Sequence, residues 1–163
     1  FVATAKDAPE GDLQRWKQDL EASKSTLLAV LQTCSYGRKS NEAIAKAYSK
    51  EELEKLADSG EHLRVGMALY DVKRYDEGLE VFNAYEKVAT NDVERGIALV
   101  WQGHLLDLLG KRQEAIAAYK KAAGLSVDQT IRHDQFGIGY NLREYPKERM
   151  ETPFVRMENK DKD

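Results

Sequence analysis

Two blocks of the chain, residues 65–88 and 102–125, match each other at one fixed spacing. The pairs that recur 37 residues apart are Gly66 and Gly103, Leu69 and Leu106, Glu77 and Glu114, Leu79 and Ile116, and Phe82 and Tyr119. A repeat of this length is typical of stacked helical hairpins, each of which buries its apolar face against a neighbour. The sequence therefore predicts an all-α fold of stacked antiparallel hairpins, an architecture that usually serves binding.

The two matched glycines fall in the middle of predicted helices. Glycine there costs about 1 kcal/mol relative to alanine, so a packing reason is expected. We predict that the partner helix approaches Gly66 and Gly103 too closely for a Cβ atom. Phe82 and Tyr119, on the second helix of each hairpin, are expected to fill the space between hairpins.

The second block resembles the tetratricopeptide repeat (TPR) family, whose signature it matches at several positions. These are Gly103, Leu106, Gly110, Glu114-Ala115-Ile116, Tyr119 and Ala122. The first block matches at Gly66, Leu69, Tyr75, Asp76-Glu77 and Phe82, but has Gly78 and Tyr85 where alanine is usual. Gly37, Glu42-Ala43-Ile44 and Ala47 suggest a degenerate earlier repeat. The resemblance implies a right-handed superhelix of hairpins.

Local signals divide the chain into five parts. We expect a linker or fragment start over 1–11, N-terminal helices over 12–58, two TPR-like hairpins over 59–125, a docking or capping tail over 126–157, and a disordered end over 158–163. In the tail, the alternation from Phe136 to Leu142 is typical of an extended strand. Pro146 is tolerated just before a short helix, residues 147–151. The rest of the tail is expected to be irregular.

Capping residues set the expected helix limits. A first helix is predicted from Asp12 to Cys34 and a shorter one over 41–48, and Ser49 with Glu52 forms a capping box for the next. The two hairpins are predicted as helices 61–72 and 76–89, then a helix capped by Asn91 that ends at Leu109, then 113–123. The helix ending at Leu109 is apolar on most of its circumference, which predicts a position inside the stack.

By resemblance to the TPR family, the first helix of each hairpin would line a concave groove that holds a peptide or a partner helix. The predicted groove residues are Leu63, Arg64, Met67, Tyr70, Asp71, Val100, Trp101, His104, Asp107 and Leu108. Their mixture of apolar, aromatic and polar side chains suits an amphipathic helix or an extended apolar peptide. Core packing is the alternative for Trp101 and Leu108. Some family members bind a C-terminal carboxylate through a basic clamp; here Leu63, Met67, Val100 and His104 occupy its positions, which argues against that ligand.

Other classes of site find little support in the sequence. His62, His104 and His133 lack the spacing of a zinc helix, and Cys34 is the only cysteine, so neither a metal nor another cofactor is predicted. Gly137 and Gly139 lack the third glycine of a phosphate loop. A net charge of −3 without a basic block disfavours nucleic acid, and no apolar run is long enough to span a membrane.

The sequence therefore predicts a non-enzymatic protein–protein interaction or scaffold module with an unidentified protein or peptide partner. One alternative is a structural appendage that forms a homodimer or braces an adjoining domain. Another is a regulator or enzyme with a small-molecule pocket, using Tyr70, His104 and Asp107 as polar contacts. The tail either caps its own stack or docks on a partner, and Phe154, Val155 and Met157 form an apolar patch on it.

Overall fold

The computed structural model describes residues 14–15, 17–20, 22, 42–43, 45–46, 49–133 and 138–156. The chain divides into two compact units, Phe1–Gly37 and Arg38–Asp163. In the first unit the described residues are helical, within the predicted helix from Asp12 to Cys34. Cys34 and Gly37 lie outside the described residues, as do the predicted linker and the predicted disordered end.

The described part of the second unit is mostly helical, which confirms the predicted all-α class. Its elements are α1 (Lys50–Leu56), a π-helical segment (Ala57–Glu61), α2 (His62–Asp71), α3 (Tyr75–Val88), α4 (Asp92–Leu108), α5 (Arg112–Gly124), β1 (Thr130–His133), β2 (Ile138–Asn141) and α6 (Tyr145–Glu151). Each of α2 to α5 packs on the next helix along the chain, and α6 packs on α5.

The predicted capping interactions are present. Ser49 Oγ accepts the Glu52 N–H at 3.3 Å, and Glu52 Oε2 accepts the Ser49 N–H at 2.7 Å, which completes the capping box. Asn91 Oδ1 accepts the Glu94 N–H at 2.9 Å at the start of α4. These contacts satisfy backbone donors that the first turn of a helix leaves without partners.

The two hairpin turns repeat each other, although one uses glycine and the other lysine. Gly110 follows α4 with φ of 75°, and Lys73 follows α2 with φ of 63°. Equivalent backbone hydrogen bonds close the two turns: the Arg74 N–H donates to Leu69 O at 2.9 Å, and the Lys111 N–H donates to Leu106 O at 2.8 Å. Because only glycine adopts this conformation without cost, the first turn is strained at Lys73.

The paired glycines are covered by the aromatic rings of the second helices. A methyl carbon added to Gly66 would lie 2.5 Å from two ring carbons of Phe82, and one added to Gly103 would lie 2.3 Å from the ring of Tyr119. The approach is therefore made by a side chain rather than by backbone. Phe82 also stacks on Trp101 of the next hairpin, with centroids 5.6 Å apart, so the predicted filling between hairpins is confirmed there.

The core is centred on α4, as its all-round apolar sequence predicted. Trp101, Leu105 and Val100 on this helix have no exposed surface. Phe82 joins them from α3, and Tyr140 and Leu142 join them from the tail. Within the part of the chain that the structure describes, no helix is both long enough and apolar enough to cross a membrane.

The tail contains more regular structure than expected. Within the range 136–142 predicted as a strand, Ile138–Asn141 form β2, while Phe136 and Gly137 lie outside the described residues. β2 pairs antiparallel with β1, which was not predicted, and Ile131 lies opposite Tyr140. Tyr140 is 3% exposed and Leu142 1% exposed, so β2 and the residue after it pack into the core. The short helix begins at Tyr145, with Pro146 in its first turn as predicted.

Candidate functional site

The predicted groove residues lie on α2 and α4, and most of them are buried. Leu63 and Leu108 are half-buried; Asp107 is half-buried as a whole residue, although its side chain has no exposed surface. The other seven are at most 5% exposed: Arg64, Met67, Tyr70, Asp71, Val100, Trp101 and His104. The chain's own tail packs over this surface, so the expected open groove is occupied in this chain.

Four of these residues surround the end of the tail and define what we call the α2–α4 face: Tyr70, Asp71, His104 and Asp107. The segment that lies on it is Thr152–Arg156, which we call the tail segment. Thr152 has φ of −121° and ψ of 122°, so the chain leaves α6 in an extended conformation. Side chains of an extended segment alternate between two sides. Phe154 is 9% exposed and Val155 is 72% exposed, which fits this alternation.

Phe154 is the aromatic anchor of the tail segment. Its ring stacks on His104 with centroids 3.9 Å apart and an interplanar angle of 19°. The Tyr70 ring lies 6.4 Å away, tilted by 53°. A planar imidazole and a phenol ring therefore form an aromatic site with a defined orientation for the incoming ring.

Asp107 holds the backbone of the tail segment. Its Oδ2 accepts the Phe154 N–H at 2.7 Å. The same carboxylate accepts hydrogen bonds from the Arg112 guanidinium at 3.0 Å and 3.2 Å and from the Tyr119 hydroxyl at 3.1 Å. The Asp107 side chain has no exposed surface. A buried carboxylate is tolerated only when it is paired and hydrogen-bonded, and two of its partners come from α5. The acceptor for the tail is therefore positioned by the second hairpin itself.

Arg156 lies at the carboxyl end of α2. Its guanidinium donates to Tyr70 O at 2.8 Å and to Asp71 O at 3.1 Å, and it lies 4.8 Å from the centroid of the Tyr70 ring. The last carbonyls of a helix lack intrahelical donors and carry the negative end of the helix dipole. A cation with two donors satisfies both requirements at once.

Tyrosines form a second layer behind the α2–α4 face. The Tyr145 hydroxyl lies 2.9 Å from His104 Nε2. Burial raises the pKa of Tyr145 to about 12 because the phenolate would lose its hydration. Burial likewise raises the pKa of Tyr140, and that of Tyr119, where the neighbouring Asp107 charge adds to the effect. These hydroxyls therefore stay neutral at physiological pH and act as fixed hydrogen-bonding groups.

The three residues proposed from sequence as small-molecule contacts meet at one place. Tyr70, His104 and Asp107 all contact Phe154, through its ring or its amide. The arrangement can recognise an aromatic side chain, one backbone N–H and a neighbouring cation. It holds a segment of polypeptide where the small-molecule hypothesis placed a ligand.

The other two histidines, His62 and His133, are not part of the α2–α4 face. His62 stacks on Tyr85 with centroids 5.5 Å apart, in the interior of the first hairpin. The side chain of His133 lies outside the described residues. Over the ranges that the structure describes, no three side chains among His, Cys, Asp and Glu are arranged to hold a metal ion.

Sequence reasoning missed two arginines of this site. Neither Arg156 nor Arg112 was singled out as a site residue. Arg112 donates to Arg149 O at 2.8 Å and to Met150 O at 2.7 Å. Val155 was grouped with Phe154 and Met157 as an apolar patch; Val155 points to solvent, and Met157 lies outside the described residues. The alternation of Phe154, Val155 and Arg156 was the available signal, since an extended segment places the first and third residues on one side.

A second concavity lies between α1, α2 and α3. Its volume is about 190 Å³, and its floor is formed by Leu53, Leu69 and Val81. Lys50 and Glu80 form an ion pair of 3.2 Å at its rim. No predicted site residue lines it.

No family model, curated protein or solved structure matches the chain.

Proposed function

We propose that this chain is a protein–protein interaction module of the TPR type and that its partner binds at the α2–α4 face in exchange with the tail segment. The observation that carries this proposal is the tail segment itself. An extended stretch of polypeptide is held there by a stacked aromatic ring, a backbone hydrogen bond and a bound guanidinium. Each of these contacts is one that a peptide from another protein can make.

The matched glycines and the repeated turn support the TPR resemblance at the level of the single hairpin. In both hairpins a ring from the second helix covers a glycine on the first, and the same hydrogen bonds close the turn. This internal repetition is what stacked hairpin repeats have in common. The proposal of a binding role follows from the class of fold together with the occupied face, and not from any catalytic group.

A structural appendage is the second candidate, and burial favours it. The face is already filled, and His104 and Trp101 have no exposed surface. If the tail segment is a permanent cap, the module braces another part of a larger assembly and exchanges no ligand there. The two candidates differ in one measurable property, which is whether release of the tail segment exposes a binding site.

A capture experiment with tail variants of the full chain distinguishes these candidates. The released variant carries Phe154→Ala and Arg156→Ala; the control carries Val155→Ala, whose side chain is 72% exposed. Substitutions of Tyr70 or His104 are avoided, because both are buried and their loss would test folding. Circular dichroism first establishes that both variants are folded.

The interaction proposal expects proteins that are captured from lysate of the source organism more strongly by the released variant than by the control. A synthetic peptide of residues 150–158 should elute them. Capture that is independent of both the variant and the peptide would place binding elsewhere on the chain. If neither the unmodified chain nor either variant captures a protein, the structural appendage is favoured.

A further inference from the structure

The contacts of the tail segment specify the chemistry of a ligand more narrowly than the fold does. Phe154 is buried against His104, and Val155 projects into solvent. Arg156 again contacts the α2–α4 face, at the carboxyl end of α2. The spacing between the two anchors is therefore one residue. An extended backbone is required, because only then do the first and third side chains reach the same surface.

The first anchor position selects an aromatic ring. At a centroid distance of 3.9 Å and an angle of 19°, the ring of Phe154 is almost parallel to the imidazole of His104. An aliphatic side chain would lose this stacking, which contributes about 0.5–1.5 kcal/mol beyond the burial of its area. The backbone amide of the same residue is also recognised, since its N–H donates to Asp107.

The second anchor position selects a cation with a planar fork of donors. Arg156 reaches the carbonyls of Tyr70 and Asp71 with two different nitrogens and contacts the Tyr75 hydroxyl at 3.4 Å. Lysine offers one nitrogen and makes a weaker match to two divergent carbonyls. A neutral or acidic residue would face the negative end of the α2 dipole without compensation.

Two acceptors of the face, Asp107 and Tyr70 O, keep other partners when the tail segment leaves. Asp107 retains the two contacts from Arg112 and the one from Tyr119. Tyr70 O retains the Lys73 N–H, at 3.1 Å. A site whose acceptors are held by its own helices is preorganised, and exchange of one extended segment for another leaves no buried charge without a partner.

From this geometry, and resting on the proposed function, we infer that the tail segment is a built-in competitor and that the external ligand is an extended peptide with an aromatic residue, then any residue, then arginine. The tail is tethered through α6, so its local concentration is of the order of millimolar. A partner must therefore supply the same two anchors with further contacts, or at a high local concentration. Because the tail segment competes for the face, peptides that bind weakly or lack one of the two anchors do not displace it.

The first test measures binding of a fluorescein-labelled peptide of residues 150–158 by anisotropy. The full chain with Phe154→Ala and Arg156→Ala should bind it at least about tenfold more tightly than the unmodified chain, whose own segment competes. In the peptide, Phe154→Ala and Arg156→Ala should each weaken binding by about tenfold or more, as expected for anchor residues. The matched peptide with Val155→Ala should bind unchanged, and Arg156→Lys should fall between.

The unmodified chain provides a test that does not depend on the folding of any variant. An excess of unlabelled peptide should increase hydrogen exchange of the backbone amide of Phe154, since displacement removes its bond to Asp107. The peptide with both anchors replaced by alanine should leave that exchange rate unchanged.

Four results would overturn this inference. One is a folded released variant that does not bind the peptide. Another is equal weakening by Val155→Ala and Phe154→Ala in the peptide, which would mean that the anchors are not selective. The third is a concentration-dependent dimer of the unmodified chain in which each copy supplies the tail segment of the other. A partner that is captured but not displaced by the peptide would contradict the inference while leaving the interaction module intact.

Discussion

The close contact between Gly66 and Phe82 allows a quantitative test of the hairpin packing. Gly66→Ala adds a methyl carbon 2.5 Å from two ring carbons, where about 3.5–4.0 Å is the normal separation. Phe82 has no exposed surface and is stacked on Trp101, so its ring has little room to retreat. Overpacking of a core in this way costs about 1–3 kcal/mol.

The same substitution also gains helix propensity, and this gain must be separated from the packing cost. Alanine is favoured over glycine by about 1 kcal/mol inside a helix. Gly124→Ala is the matched control, because Gly124 is the last residue of α5 and has no atom within 4 Å of an added methyl carbon. We expect Gly124→Ala to stabilise the fold by up to about 1 kcal/mol and Gly66→Ala to be neutral or destabilising by up to about 2 kcal/mol.

Urea unfolding followed by far-ultraviolet circular dichroism measures both free energies, provided that the m-values agree with that of the unmodified chain. The variant with both Gly66→Ala and Phe82→Leu completes a double-mutant cycle, and a smaller side chain opposite the added methyl group should recover part of the loss. If Gly66→Ala is as stable as Gly124→Ala, the ring does not require the glycine. In that case the explanation of the 37-residue repeat given above is wrong.

Three other outcomes follow from described contacts. Lys73→Gly should raise the free energy of unfolding by about 1 kcal/mol, because Lys73 has φ of 63°, whereas Gly110→Ala should lower it; urea unfolding checks both. Phe154→Ala should lower the free energy of unfolding by about 2–4 kcal/mol and Val155→Ala by less than about 0.5 kcal/mol, and equal losses would contradict the assigned burial. The folded-state pKa of Tyr145, about 12, lies above its unfolded value of about 10, so its contribution is complete below pH of about 10 and is lost as the pH rises towards 12. Urea titrations at alkaline pH should show a decline of up to about 1.4 kcal/mol per pH unit for this group, which Tyr145→Phe reduces.

Local sequence signals were sufficient to predict the helices of the two hairpins. Each of these signals acts over three or four residues, so it can be recognised in the sequence: the capping box at Ser49, the cap at Asn91 and the helix end at Gly110. The spacing of Gly66 and Phe82 was also legible, because their contact lies within one hairpin and repeats in the next. Such features depend on neighbours that the repeat itself supplies.

The occupation of the α2–α4 face could not be predicted in the same way. Phe154 contacts a residue 47 positions earlier in the chain, and Arg156 contacts one 86 positions earlier. A repeat pattern describes nearest neighbours and does not specify where a tail without repeats will lie. The ten predicted groove residues lie on α2 and α4, and the tail segment contacts four of them: Tyr70, Asp71, His104 and Asp107. β1 was missed because its four residues, Thr130–His133, include one apolar side chain, Ile131, and so show no alternation of apolar and polar residues.

Arg112 divides the tail into two parts that differ in local unfolding. Through its contacts with the carbonyls of Arg149 and Met150, it fastens the end of α6 to the second hairpin. Phe154 and Arg156 lie beyond this point and contact α2 and α4, so we expect this part of the tail to open while α6 stays in place. Local opening of a protein occurs in cooperative units with separate free energies. We expect the boundary between two such units to lie after Thr152, whose N–H still donates to Glu148 O of α6 at 2.9 Å. The contacts therefore divide the tail into a part fastened to the second hairpin and a part that we expect to open separately.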